Sequence, residues 1–280
     1  MKKTLFTITL FLTGAAWSQV KVTELYLQSG SYFGQGNGSL ADFHKLAPQS
    51  SILNQDLSLY ETTAFFFPLP SSSQSLSAGL KLAKLPNATL RVGLTHIGQG
   101  SALRTAGDYI ENFVIDTLTS AQTSQQFYVD STSVHSYFAN YSQEQLRLDA
   151  SLIFRLKGEK RWSVYGGLGI NFGLSYNAHT TIRSSVSPYY TSQMSVLDQL
   201  LLSYHGDTQE EVFDNKGGYG LALYAPLGLD FQVGKKRDFW KPFHLYSEFR
   251  PGININQIAS VGTTFSVGGF SNFGLRVKFK

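Results

Sequence analysis

The chain has 280 residues, 42% hydrophobic, 14% aromatic and 15% charged, with 26 Gly, 8 Pro and no Cys. A charge fraction well below the about 25% of soluble globular domains, beside 21 Phe and 15 Tyr, excludes a disordered chain. The absence of Cys excludes disulfide scaffolds and thiolate metal sites, and a net charge of +4 is too mild to point to nucleic acid as a partner.

Residues 1–18 read as a cleaved signal peptide. Lys2 and Lys3 precede a mostly apolar run, Leu5 to Leu12, and Ala16-Trp17-Ser18 offers small residues before a cut that leaves Gln19 first. The run is about half the ~20 residues a transmembrane helix needs, and no later segment approaches that length.

From there the dominant pattern has a period of two. Weak versions occupy 22–33, 76–85 and 89–98. Residues 146–156 then set Leu146, Leu148, Ala150, Leu152 and Phe154 against Arg147, Asp149, Ser151 and Arg155. The clearest run, 162–176, sets Trp162, Val164, Leu168, Ile170, Phe172, Leu174 and Tyr176 against small and polar residues. Further runs follow at 219–233, 243–255 and 263–279. Side chains alternate faces along a strand, so each run has one apolar face, and the longer ones exceed the usual 3–10 residues of soluble strands.

Eight such strands, joined alternately by short turns (85–88, 157–160, 234–242) and long connections (34–75, 99–143, 178–216, and a shorter one near 257–262), predict an all-β protein. The expected architecture is a closed antiparallel up-and-down transmembrane β-barrel over 19–280, with both termini in the periplasm and long outer loops. Residues 57–67 are assigned to the first outer loop; a ten-strand barrel, which needs them plus one more strand, stays open. Apolar residues near helical spacing at 105–118 and 194–204 predict short helices in the outer loops. These, with Phe65-Phe66-Phe67-Pro68-Leu69-Pro70, form either a lid on the barrel or a patch for a partner.

The last strand carries a recognisable signature. Asn272, Gly274, Val277 and Phe279 match the pattern polar, any, Gly, two of any kind, apolar, any, aromatic. This resembles the β-signal that outer-membrane barrels present to their insertion machinery, with Lys280 as a departure after the aromatic. Tyr165 to Gly173 is similar to the Gly-rich strands of small OmpA/OmpX-like barrels. The whole resembles the outer-membrane β-barrel proteins common in Bacteroidota, without a peptidoglycan-binding domain. The resemblance implies an outer-membrane location and contact with lipid and lipopolysaccharide, and it says little about activity.

The inward parity holds a candidate lumen charge network: Glu24, Lys81, Arg91, Arg147, Asp149, Arg155, Asp230, Glu248, Arg250 and Arg276. An eight-strand barrel is just wide enough for its inner side chains to fill it, so these are expected to form an ion-paired plug; charged rings can instead line a narrow ion path. His96 is the most enzyme-like residue and points outward by parity. Lipid A deacylase barrels resemble this arrangement, with a nucleophilic Ser two residues on, but that position here is Gly98, and Ser101 has the opposite parity. His44, His135, His179 and His205 lack metal-ligand spacing, and Asp207, Glu210, Glu211 and Asp214 read as a solvated acidic face rather than a Ca²⁺ loop. The expected role is therefore non-enzymatic, with no cofactor or metal: structural anchoring, or surface interaction with an envelope partner through the outer loops. A small-solute pore and a lipid-modifying barrel enzyme are the rivals.

Overall fold

The computed structural model describes residues 21–62, 69–81, 87–119, 121–124, 126–156, 161–192 and 206–279. The proposed signal peptide, residues 65–68 and the predicted helix at 194–204 lie outside them. In chain order the elements are β1 (Lys21–Phe33), β2 (Gly36–Asn37), α1 (Leu40–Leu46), β3 (Glu61–Thr62), β4 (Ser71–Lys81), β5 (Ala88–Thr119), β6 (Gln126–Arg155), β7 (Trp162–Ser192), β8 (Thr208–Asp214), β9 (Tyr219–Tyr224), β10 (Leu227–Gln232), β11 (Phe243–Ile258) and β12 (Gly262–Lys278).

Eight long strands pair in a ring. β1 pairs with β12 and β4, and the order continues through β5, β6 and β7. β9 and β10 act as one strand interrupted at Ala225-Pro226, pairing with β7 on one side and β11 on the other, and β11 returns to β12. All these pairings are antiparallel, and two-residue β2 lies parallel to β5. Residues 61–62 pair with β5 as a fragment, not as a wall strand. At the seam, the Phe279 N–H donates to the Thr23 carbonyl at 2.8 Å, so both chain ends share one rim.

The wall is apolar outside. Leu27, Leu76, Leu94, Leu148, Leu168, Ile170, Leu223, Leu229, Ile253 and Val267 are among the exposed side chains of a belt that runs round the ring. Near the rim with the termini, Trp162 and Phe231 stack at 4.6 Å between centroids, and Phe239, Trp240 and Phe243 cluster.

The sequence reading underestimates the strands at the other end. Residues 105–118, predicted as a helix, are strand: Thr105 to Val114 pair residue by residue with Ala139 to Asp130. The predicted connection at 178–216 is likewise mostly strand, because β7 runs on to Ser192 and pairs with β8. β5, β6, β7 and β8 thus continue past the belt as a four-stranded antiparallel sheet. Along β5, from Gly100 to Thr119, this is about 65 Å of strand at 3.3 Å per residue, while β8 pairs with β7 only over His179–Ser185.

The alternation that marks strands is broken where this sheet leaves the wall. β5 shifts register between Ile97 and Gly100 and again between Ser101 and Leu103. Opposite, Ser142 pairs with His179 and Glu144 with Tyr176, so β7 gains one residue, and Asn177 takes φ 48°. Such a bulge exchanges the faces beyond it.

The helix found in the described residues is α1, in the first long connection. Ser39 caps it: its hydroxyl accepts from the Asp42 N–H, and Asp42 accepts from the Ser39 N–H at 3.0 Å, a reciprocal box that satisfies two free donors. α1 and the turn after it roof the far end of the ring. Phe43, Leu46, Ala47, Ile52 and Leu53 pack on Leu103, Ala139, Tyr141, Ala178, Ile182 and Ile258.

Candidate functional site

Inward positions of neighbouring strands bring charges together across the lumen. At mid-height Arg91 on β5 donates to both oxygens of Glu248 on β11, at 2.9 and 3.0 Å. Arg250, two residues along β11, donates through Nε to the same carboxylate, through Nη1 to Asp149 on β6 at 3.4 Å and through Nη2 to Gln28 on β1 at 2.6 Å. Tyr224 donates to the other Asp149 oxygen at 2.7 Å. Arg91, Arg250 and Arg147 are fully buried. Buried charges are costly unless compensated, and for Arg91 and Arg250 the compensation is an ion pair that joins opposite sides of the ring.

Toward the rim with the termini, Glu24 accepts from Arg276 at 2.8 Å and from the Tyr26 hydroxyl, and forms an ion pair with Arg155 at 3.2 Å. Arg276 also donates to Asp230 at 2.8 Å, and His244 meets the same Asp230 oxygen at 2.7 Å. Toward the far end, Arg147 is solvated by neutral acceptors: Gln145 at 2.7 Å, Asn171 at 2.8 Å and the Tyr32 hydroxyl at 3.3 Å, with the Tyr32 ring 5.1 Å away.

Of the ten lumen charges proposed from sequence, nine are buried or nearly so and hydrogen-bonded in this way. Lys81 is not: it ends β4 exposed at the rim, so its parity is right but its depth is wrong. The sequence reading names only the charged half of the network. Gln28, Gln145, Asn171, Asn272, His244 and the buried tyrosines 26, 165, 224 and 246 share the inward parity of the charges, so alternation puts them on the same face without showing that they join the network.

The four signature residues of β12 divide by face. Asn272 is buried and bridges Gln28 and Ser73, while Val277 and Phe279 lie on the outward parity. Gly274 makes room: a Cβ there would sit 2.7 Å from the Tyr246 ring. Gly169 does the same for Tyr224, at 2.3 Å. Tyrosines can fill the lumen because glycines face them.

His96 sits half-exposed on the outer wall and meets Glu144 at 3.2 Å, and Asn177 donates to the other Glu144 oxygen at 3.0 Å. Ser101 turns away to Asn140 at 2.5 Å. The Ser–His pair that does form is Ser142 with His179, at 3.0 Å, on strands too far apart in sequence to be linked by inspection. Ser142 is 5% exposed, and among the described residues the second imidazole nitrogen has no partner. A nucleophile needs an open approach, and the burial of Ser142 closes it.

The acidic residues of the third connection split on β8. Glu210 binds Arg183 at 2.5 Å, and Glu211 accepts from the Ser50 and Ser51 hydroxyls, both at 2.5 Å, and from the Ser51 N–H at 3.1 Å. Burial raises the Glu211 carboxyl, but these hydrogen bonds outweigh it and hold the group below the usual carboxylate range. Asn215 donates to the Leu46 carbonyl at 2.8 Å. β8 and the residue just after it therefore pin the roof.

No family model matches the chain, and no curated protein matches it. Among solved structures it is similar to Neisserial surface protein A, with 13% identity over 93% of this chain and 99% of that one and a TM-score of 0.34. It is also similar to Ail, the attachment invasion locus protein of Yersinia pestis, with 11% identity over 92% of this chain and all of that one and a TM-score of 0.27. Likenesses this distant say nothing about activity or partners.

Proposed function

We propose that the protein is a non-conducting outer-membrane β-barrel of Bacteroidota type, exported by a cleaved signal, that holds a stiff four-stranded sheet above the outer leaflet for contact with an envelope or surface partner. The belt supports the location, since lipid offers no hydrogen-bond partner and a ring of paired strands leaves no open edge in it. The observation that carries the role is the continuation of β5 to β8 beyond the belt, on the side opposite the termini. A pore would need a free path, whereas Arg91, Glu248, Arg250 and Asp149 join across the lumen and α1 covers its far end.

An epitope inserted after Ser124, at the tip of the β5–β6 hairpin, tests the reading. Intact cells should bind the antibody without permeabilisation; labelling only after the outer membrane is opened would reverse the orientation and remove the display role. The rival small-solute pore predicts steady single-channel current from refolded protein in a planar bilayer, and the plugged barrel predicts none.

A further inference from the structure

The rim that carries the termini holds two adjoining cavities, about 260 and 280 Å³, which share Arg155, Arg276 and Lys278 as lining. Lys81 lines the first; Arg161 and Lys241 line the second. Among the described residues six cations thus face this mouth, and the acids near them are already engaged: Glu24 by Arg155 and Arg276, Asp230 by Arg276 and His244, Asp238 by Lys241 at 2.7 Å. Among the described residues Lys81 and Lys278 have no ion-pair partner. Thr23, Asn87 and Thr89 add neutral hydrogen-bonding groups to the first cavity.

We propose that this mouth is a binding site for a phosphate group. Arg155 and Arg276 already share Glu24, but Lys278 and Lys81 beside them are uncompensated among the described residues, and an anion there relieves the remaining repulsion. The surplus of positive charge exceeds one, which favours a phosphate monoester, with a charge of about −1.5 to −2 at neutral pH, over a carboxylate. Lysines act as point charges toward phosphate and need no fixed fork geometry. The cavity is wide enough to take the head of a larger phosphorylated molecule, so the group can come from free phosphate or from a phospholipid headgroup of the adjacent leaflet. The site does not depend on what the opposite end displays.

The test uses the full-length protein refolded in an uncharged maltoside detergent, with inorganic phosphate and monomeric dihexanoyl phosphatidic acid as probes in separate titrations followed by calorimetry. Saturable binding at millimolar concentration or below is expected. Lys81→Gln combined with Lys278→Gln should weaken it by about tenfold or more, while Lys235→Gln with Lys236→Gln in the neighbouring turn should not. A boiled-versus-unboiled gel shift confirms that each variant is folded. Phosphatidic acid binding at least about tenfold tighter than phosphate identifies the headgroup as the source, and equal affinities identify free phosphate. The proposal is overturned by no saturable binding of either probe, by acetate binding as tightly as phosphate, or by unchanged affinity in the Lys81/Lys278 variant.

Discussion

One sheet encloses two interiors of opposite chemistry. Between belt residues the inside is arginine, carboxylate, amide and tyrosine; beneath α1 it is Phe43, Leu46, Leu103, Tyr141 and Ile182. The difference follows from what lies outside the same strands. Where the outer face is apolar, the inner face can be polar provided every charge finds a partner. Where the sheet rises clear of the belt, the ordinary arrangement returns, apolar within and polar without. β7 shows the change along a single strand. Leu168, Ile170, Phe172 and Leu174 face out, and after the extra residue at Asn177 the even positions Ala178, Thr180 and Ile182 face in. β6 keeps its parity and changes composition instead, from Arg147 and Asp149 to Ala139 and Tyr141.

If the polar interior stands on mutual pairing, Glu248→Gln should be the most damaging change. It leaves Arg91 and Arg250 buried with half their compensation, and about 3–5 kcal/mol should be lost from the urea unfolding midpoint of the refolded protein. Arg91→Met in the same chain should recover part of that loss; an unchanged double mutant would mean the pair is not coupled. The apolar interior should answer to volume. Phe43→Ala, fully buried in the roof, should cost about 3 kcal/mol, seen as faster trypsin cleavage at Lys45 while the gel shift of the ring persists. Simultaneous loss of both would merge the two interiors into one cooperative unit.

The switch between them should be sensitive to backbone shape. A β-branched residue resists positive φ, so Asn177→Ile should cost about 1–2 kcal/mol, and Asn177→Gly less, by the same urea midpoint. The smallest effect belongs to the tether of the roof. Glu211→Gln should weaken it by about 1 kcal/mol. Because the folded carboxyl is held below its unfolded value, its contribution is present above the ordinary carboxylate range. That contribution is lost as pH falls through the folded value. The Ser51 amide resonance should titrate accordingly, and a Ser51 signal indifferent to acid would remove Glu211 from the tether.

The ring was legible because period two is almost undisturbed there, with one shift between Val22 and Glu24: all eight wall strands, and the inward parity of Arg91, Arg147, Glu248 and Arg276, come from alternation. The projecting sheet was not legible for the converse reason. Two register shifts on β5 near the wall and one on β7 break the period within a few residues, so a strand looks finished where it continues. The remaining apolar residues at 105–118 then mimic helical spacing. α1 went unread although Ser39 and Asp42 form its cap, since seven residues give too short a period to notice. Lys81 shows the other limit, that parity fixes a side but not a depth.

The seam between β1 and β12 has a consequence for how the chain comes into being. Glu24 finds Arg276 across 252 positions of sequence, so the first strand made has one neighbour that does not exist until the last is delivered. Closure of the ring therefore waits for β12, and during that wait an alternating, apolar edge stands open to any other strand in reach. Protection of that edge until β12 arrives is thus a requirement written into the order of the strands.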